Sequence, residues 1–233
     1  MARTAVIAGV GPGLGESLAR KFAREGCDVG LLARSEEYVD DLADDLPDHG
    51  DGISVQTDIS DPQQVETAFD AVRDALGPVD ILVNHASAGS WKGLMDASLA
   101  EFKRAFAING RGAFLCSREA VGDMLAGDGG TVIFTGATSA VRGRGGAIGF
   151  SAAKFAARGM AEDMARELGP EGIHLAHVVV DGQILPADGW APDRDRESYL
   201  DPDEIAESYW HLIEQDRSAW TLELDLRPHV EEF

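Results

Sequence analysis

The chain has 233 residues, 44% of them hydrophobic, and a formal net charge of −21 at pH 7. This composition is typical of a globular chain with a sizeable core, and the charge argues against nucleic-acid binding, which requires basic patches. Apolar runs stay well short of the roughly 18–20 residues of a membrane span, and two cysteines without a leader-like start favour a reducing cytoplasm.

Strand-like and helix-like segments alternate along the whole chain. The predicted strands are, in chain order, 4–8, 28–33, 53–57, 79–83, 131–135, 173–180 and 220–226. The first predicted helix begins near Glu16. The others cover 35–46, 61–76, 98–126, 148–168 and 201–215; Pro47 ends the first of these, and Gly110 and Gly112 interrupt the third. This alternation predicts a single-domain α/β Rossmann fold over 1–233, with a doubly wound parallel sheet of about seven strands and helices on both faces.

The segment from Asp181 to Asp201 interrupts this rhythm, because it is long, polar and contains Pro186 and Pro192. Loops of this length in compact domains often cover a binding site, so we interpret 181–201 as a substrate or lid loop. Within it, Trp190 is expected to line an apolar pocket.

A glycine-rich turn links the first strand to the first helix. Glycine permits a tight turn and close approach of the backbone to a ligand, and the N-terminus of the following helix attracts an anion. The spacing is Gly9-x-x-x-Gly13-x-Gly15, since Leu14 stands where the common G-x-G-x-x-G fingerprint requires a glycine. A nucleotide diphosphate is the predicted ligand, and a tight turn without ligand is the alternative. The residues assigned to the site are Gly9, Gly11, Pro12, Gly13, Leu14 and Gly15.

Acidic residues concentrate between Glu36 and Asp51, on and after one predicted helix. We interpret them as a solvated face rather than a metal site, and we expect no metal. Lysine is confined to four positions, 21, 92, 103 and 154. Abundant acids with scarce lysine are typical of proteins that work in high salt, where screening suppresses self-repulsion, and so predict a halophilic source.

Five short segments follow the glycine turn in a fixed order: Thr57-Asp58-Ile59, Asn84-His85-Ala86-Ser87, Ile108-Asn109-Gly110, Phe150-Ser151-Ala152-Ala153-Lys154 and Asp181-Gly182. With the glycine spacing, they resemble the motifs of the short-chain dehydrogenase/reductase family over essentially the whole chain. The resemblance implies an oxidoreductase with a nicotinamide cofactor, a small-molecule substrate, and a homodimer or homotetramer packed through 98–126 and 148–168. It also implies cofactor contacts by Asp58, Ile59, Asn84, His85, Ala86, Lys154, Asp181, Gly182 and Ile184.

The end of the second strand bears on the choice of cofactor. An acid there would bind the ribose hydroxyls of NAD, but the residues are Leu32-Ala33-Arg34-Ser35. Arg34 can neutralise a 2′-phosphate, so NADP(H) is the preferred cofactor and NAD(H) remains possible. Pro12 stands where NADP-preferring relatives often carry a second basic residue, which weakens the preference.

Two catalytic positions of the family are vacant. Its proton-transferring tyrosine lies four residues before the lysine, on the same helix face, and here that position is Phe150. Its carbonyl-polarising serine lies 13 residues earlier, at Ala137, with Thr138 and Ser139 as neighbouring substitutes. A minority branch of the family carries this Phe-x-x-x-Lys, and the sequence resembles it. The remaining catalytic candidates are Asn109, Lys154 and Ser139.

Histidine could supply the missing proton, because its side chain titrates near neutrality. His85 follows the fourth strand, at the edge where ligands bind, although a structural or solvent-facing role is the alternative. His174 and His177 lie three apart on one predicted strand, so they face opposite sides and form no metal pair.

Two functions from different classes follow. One is an NADP(H)-dependent oxidoreductase with a non-standard proton donor, such as water held by Asn109 and Lys154. The other is a non-catalytic nucleotide-binding sensor or scaffold that has lost the serine and tyrosine.

Overall fold

The computed structural model describes residues 2–46, 50–187 and 195–231. The strands are β1 (Thr4–Ala8), β2 (Asp28–Ala33), β3 (Gly52–Gln56), β4 (Val79–Asn84), β5 (Gly130–Thr135), β6 (Ile173–Val180), β7 (Gln183–Ile184), β8 (Tyr199–Leu200) and β9 (Glu223–Leu226). The α-helices are α1 (Leu14–Arg24), α2 (Glu36–Asp44), α3 (Pro62–Leu76), α4 (Leu99–Phe106), α5 (Ala113–Ala126), α6 (Ile148–Leu168) and α7 (Pro202–Ile213).

Seven strands form one parallel sheet in the order β3-β2-β1-β4-β5-β6-β9. Apolar side chains of the strands alternate between two cores. One core packs against α1, α2 and α7, and the other packs against α3, α5 and α6. The order reverses between β1 and β4, where a parallel sheet leaves a crevice at the carboxyl ends of its strands. The predicted fold is therefore confirmed.

Local sequence signals set several helix ends. Asp61 accepts hydrogen bonds from the backbone of Gln63 and Gln64 at the start of α3, and Asp201 caps α7 in the same way. Both caps are followed by proline, whose fixed φ suits the first helical position. Ser35 stands at the start of α2 without a side-chain capping bond, and α2 ends at Asp44, two residues before the predicted end. Pro47 lies outside the described residues.

The predicted interruption near Gly110 and Gly112 is a π-helical segment, Ala107–Gly112, that joins α4 to α5 without a break. The last residue of this segment, Gly112, lies too close to Ile59 for a larger side chain. A Cβ at Gly112 would lie 2.7 Å from Cδ1 of Ile59, so the helix could not approach the loop after β3 as closely. The segment therefore keeps one helical axis while altering its local geometry.

The chain after β6 differs from prediction in two ways. Gln183–Ile184 and Tyr199–Leu200 pair as a two-stranded parallel sheet at the two ends of the predicted loop, which was expected to be irregular. The last strand begins at Glu223 rather than Trp220, because the Trp220 ring stacks on His174 with 4.9 Å between centroids. Trp190 and Pro192 lie outside the described residues.

The remaining compositional predictions concern charge and cysteine. The acids of α2 are exposed, and the described residues contain no cluster of three or more side chains able to hold a metal. Cys27 and Cys116 are buried free thiols, and burial raises their pKa to about 11 and about 12. No helix in the described ranges is both long and apolar enough to cross a membrane.

Candidate active site

Two neighbouring cavities open at the carboxyl ends of the parallel strands. The first has a volume of about 330 Å³ and lies between the glycine turn, the ends of β2 and β3, and the loop after β4. The second has a volume of about 430 Å³ and lies between the ends of β5 and β6 and the start of α6. His85 and Ser87 line both cavities, so the two spaces meet at the loop after β4.

The glycine turn is built for close backbone contact. Gly9 has φ of 104°, and a Cβ there would lie 2.3 Å from Cα of Ala86. The Gly9 and Val10 amides donate to the Leu32 carbonyl, at 2.8 and 3.0 Å, which fixes the turn over β2. At Gly11 and Gly13 a Cβ would meet no atom within 4 Å, so this backbone faces open space at the start of α1. An anionic group can therefore reach it.

The predicted turn residues divide into two groups. Gly9, Gly11 and Pro12 line the first cavity, together with Val10. By contrast, Gly13, Leu14 and Gly15 form the start of α1 and are not among its lining residues. Gly15 instead permits close packing, because its Cβ would lie 3.1 Å from Cα of Val10.

The outer end of the first cavity carries charge of both signs. Arg34 is exposed at the end of β2, and Asp58 and Ile59 face it from the end of β3. The carboxylate of Asp58 accepts bonds from the amide and hydroxyl of Ser60, at 2.9 and 2.7 Å. These bonds, with a smaller contribution from Arg34, hold the pKa of Asp58 below its ordinary value. The carboxylate is thus ionised and its orientation fixed.

The two asparagines lie behind the cavities and line neither. The Asn84 Nδ2 donates to the Ser117 hydroxyl at 2.9 Å, which ties β4 to α5. The Asn109 Nδ2 donates to the carbonyls of Ala88 and Ala105, and its Oδ1 accepts from Ser87 at 3.1 Å. Asn109 therefore connects the π-helical segment to the loop after β4, and its side-chain groups are occupied within the protein.

Lys154 lies in the wall of the second cavity and is 4% exposed. Its Nζ donates to the Thr135 carbonyl at 2.7 Å and lies 5.7 Å from the centroid of the Phe150 ring. Burial lowers the pKa of Lys154 to about 8. Phe150 packs against Trp91 with 5.2 Å between ring centroids, so an apolar wall stands where the family has its tyrosine hydroxyl.

The serine position and its neighbours line the second cavity as well. Ala137, Thr138 and Ser139 all contribute to its wall. The Thr138 hydroxyl bonds the Asp181 carboxylate, so of the two predicted substitutes Ser139 is the one not engaged in this way.

The Asp181 side chain, predicted to contact the cofactor, is held in ion pairs away from both cavities. It is fully buried, lines neither cavity, and pairs with Arg142 at 2.6 Å and Arg227 at 3.3 Å. Burial alone would raise its pKa, but the Thr138 hydrogen bond and the Arg142 charge outweigh this effect and lower it. Gly182 and Ile184, by contrast, line the second cavity.

His85 occupies the junction of the two cavities. Its Nδ1 lies 3.2 Å from the Thr135 hydroxyl, which also accepts a 2.9 Å bond from the hydroxyl of Tyr209. Burial, and secondarily the charge of Lys154, lower the pKa of His85 to about 4. The imidazole is therefore neutral near pH 7.

The histidines of β6 face opposite sides of the sheet, as predicted. The Nε2 of His174 bonds the Thr221 carbonyl at 2.9 Å, and the Nδ1 of His177 lies 3.1 Å from the Glu223 carboxylate. Neither histidine lines a cavity.

Several residues that line the two cavities were not predicted from the sequence. They are mostly small or apolar side chains at strand ends or in loops, and such positions carry no chemical signal in a single sequence. Those of the first cavity are Val10, Leu32, Ala33, Thr57, Ser87 and Ile108. Those of the second include Trp91, Thr135, Gly136, Arg144, Gln183 and Glu231.

A family model described as short chain dehydrogenase matches residues 3–184. The chain belongs to this family. Its Rossmann sheet is thus the NAD(P)-binding fold of an oxidoreductase family.

Curated proteins and solved structures agree with this assignment. Meso-2,3-butanediol dehydrogenase of Serratia marcescens is 32% identical over 176 residues, which cover 76% of this chain and 69% of that protein. A 3-ketoacyl-(acyl-carrier-protein) reductase of Brucella melitensis in complex with NADH has a TM-score of 0.87, with 27% identity and 97% coverage of both chains. An alcohol dehydrogenase of Thermococcus sibiricus with 5-hydroxy-NADP has a TM-score of 0.85, with 26% identity and coverage of 100% and 99%.

Proposed function

We propose that this protein is an NADP(H)-binding oxidoreductase that interconverts a small carbonyl compound and its alcohol without the family's tyrosine. The observation that carries the proposal is the junction of the two cavities at His85 and Ser87. A cofactor in the first cavity would thereby meet a substrate in the second. The similar structures with NADH and 5-hydroxy-NADP support a nicotinamide cofactor.

The described residues fit such a cofactor. The open backbone at Gly11 and Gly13, at the N-terminus of α1, would hold its pyrophosphate. Asp58 and Ile59 would bound the adenosine, and the exposed Arg34 would pair with a 2′-phosphate. When bound, the nicotinamide supplies or accepts the hydride, and the protein's part is to orient it.

The second cavity fits a small apolar substrate. Phe150, Trp91, Ile184 and Val180 provide apolar wall, whereas Lys154 and Ser139 provide polar groups near its base. A carbonyl compound with an apolar substituent matches this distribution. Phe150 lines the second cavity and has no proton to donate, as in the branch of the family that carries Phe-x-x-x-Lys.

Titration of NADPH and NADH, followed by nicotinamide fluorescence, tests the cofactor assignment. Arg34→Ser should weaken NADPH binding about 10–100-fold, since a charge-assisted bond contributes about 1.5–3 kcal/mol, and should leave NADH binding unchanged. Arg166→Ser, an exposed position on α6, is the matched control and should change neither. Equal loss of both cofactors in Arg34→Ser would argue against a 2′-phosphate contact.

A non-catalytic nucleotide sensor is the second candidate, and the vacant hydroxyl positions at Phe150 and Ala137 favour it. A substrate screen of the wild type against Phe150→Tyr/Ala137→Ser separates the two. Turnover by the wild type that Lys154→Ala abolishes supports the enzyme. NADPH binding with turnover only in the double variant supports the sensor.

The oligomeric proposal is a homodimer or homotetramer that packs through 98–126 and 148–168, which contain α4, α5 and α6. These helices expose Phe114, Leu125 and Phe155 at 50%, 51% and 43% of their surfaces. Exposed large apolar side chains are a feature of surfaces that pack between subunits. Light scattering after gel filtration measures the assembly, and a monomer at micromolar concentration would contradict it.

A further inference from the structure

We infer that His85 is the group that polarises the substrate carbonyl in place of the absent serine, and that Thr135 and Tyr209 position it for this task. The inference rests on the proposed function and assigns its hydrogen-bond donor. It begins from the location of His85, whose imidazole lines both the first and the second cavity. At that junction a substrate oxygen and a nicotinamide ring would be neighbours.

A chain of three hydrogen-bonding groups decides which ring nitrogen of His85 carries the proton. Tyr209 is fully buried on α7, and Thr135 Oγ1 is the partner of its hydroxyl among the described residues. The phenol proton therefore goes to Thr135 Oγ1. A Thr135 hydroxyl that accepts from Tyr209 can donate its own proton to the Nδ1 of His85, 3.2 Å away. Because Nδ1 accepts, the ring proton of a neutral imidazole lies on Nε2.

The reversed chain is less favourable. If Nδ1 donated to Thr135 and Thr135 donated to Tyr209, the phenol proton would need another acceptor in a fully buried environment. A buried hydroxyl proton without an acceptor costs about 1–3 kcal/mol. The arrangement in which Thr135 accepts from Tyr209 and donates to Nδ1 pairs the three groups with one another and makes His85 an Nε2–H donor.

Burial, and secondarily the charge of Lys154, lower the pKa of His85 and so keep this donor neutral. The Lys154 ammonium donates to the carbonyl of Thr135, the residue whose hydroxyl contacts His85. Proximity of the two groups disfavours a second positive charge, and burial acts in the same direction. A neutral imidazole can still donate a hydrogen bond to a carbonyl oxygen, and it does so without the desolvation penalty of a buried cation.

A nicotinamide held in the first cavity would supply the hydride to the carbonyl carbon, and the π electrons of the C=O bond would move to oxygen. The Nε2–H of His85 stabilises that developing alkoxide. The alkoxide takes a proton from the Lys154 ammonium, which regains one from water. His85 ends the step with the same protons it had at the start, so it acts as an electrophile and Lys154 as the acid.

The histidine side chains of the cofactor-free protein provide the first test, by ¹⁵N NMR. His85 should show the Nε2–H tautomer in the wild type. Removal of the Thr135 hydroxyl in Thr135→Val should convert it to a mixture, and Tyr209→Phe should do so partially. An Nδ1–H tautomer in the wild type, or one unaffected by Thr135→Val, overturns the inference.

Steady-state kinetics of two matched substitutions provide the second test. The amide of Gln reaches the place of Nε2, whereas the shorter Asn reaches that of Nδ1. His85→Asn should lower kcat on the order of 100-fold, the effect of removing one donor to a developing oxyanion, and leave KM nearly unchanged. His85→Gln should restore most of the loss. Equal kcat in the wild type and His85→Asn overturns the role of His85.

NADPH titration of each variant separates this inference from the proposed function. NADPH binding retained in His85→Asn together with lost turnover supports both. A wild type that binds no NADPH contradicts the proposed cofactor, and the tautomer result then decides on the His85 geometry by itself. A wild type that binds NADPH but reduces no carbonyl compound overturns the enzymatic proposal and the His85 role together.

Discussion

The half-buried imidazole of His85 should make stability depend on pH within a defined window. Its pKa falls from 6.5 to about 4 in the folded protein, so between these values the unfolded chain binds a proton that the native protein does not. Stability therefore falls as pH falls through this window and is fully retained above pH 6.5. Each tenfold change in proton affinity corresponds to about 1.4 kcal/mol, which sets an upper limit of about 3 kcal/mol. Because the ring borders a cavity, we expect about 1–3 kcal/mol.

Urea unfolding of the wild type and His85→Asn, followed by tryptophan fluorescence between pH 4.5 and 7.5 at constant ionic strength, measures this effect. The many carboxylates titrate in both proteins, so the difference between the two curves isolates the histidine. The wild type should lose the stated free energy relative to His85→Asn on acidification. His211→Asn, an exposed position on α7, is the control. Parallel curves for the wild type and His85→Asn would refute the reasoning.

Three further predictions concern stability. The pKa of Lys154 is about 8 in the folded protein and 10.5 in the unfolded chain, so the free energy of unfolding of the wild type should rise by up to about 3 kcal/mol relative to Lys154→Met between pH 8 and 10.5. Lys103→Met is the control, and a difference that does not change with pH contradicts the prediction. Gly9→Ala should destabilise by more than about 3 kcal/mol in urea unfolding, because its Cβ overlaps Ala86, whereas Gly11→Ala should change stability by less than about 0.5 kcal/mol and weaken NADPH binding. The melting temperature should rise from low to molar salt, since a net charge of −21 repels itself; a salt-independent melting temperature would rule out the halophilic interpretation.

Sequence periodicity was sufficient to predict the sheet and most helices, because buried strands and amphipathic helices carry their own pattern. Local caps such as Asp61-Pro62 set boundaries accurately, for α3 begins at Pro62 as expected. Errors arose where tertiary contacts decide. Because Trp220 stacks on His174, β9 begins at Glu223 instead of at Trp220. The pairing of β7 with β8 joins segments that are distant in the sequence, and no local pattern encodes it.

Motif spacing predicted where the candidate site residues lie in the fold. It did not predict which of their side chains face the cavities and which bond inside the protein. Gly9, Arg34 and Lys154, all predicted as site residues, line the cavities. Asp181 and Asn109 occupy the expected positions in the chain, yet their polar groups bond inside the protein. The contact of Tyr209 with Thr135 joins residues 74 apart, and a single sequence contains no signal for it.

The π-helical segment also bears on changes in chain length. A π turn contains one residue more than the α turn that it replaces, so loss of one residue from Ala107–Gly112 would leave a regular α-helix. Because that α turn completes the same rotation with one residue fewer, the 14 residues of α5 would keep nearly the same orientation about the helix axis relative to α4. Cys116, Ala120 and Met124 would therefore stay buried against the core. A one-residue deletion here should disturb the hydrogen bonds of Asn109 more than the packing of α5, so this segment is the place where the long helix best accommodates a change in length.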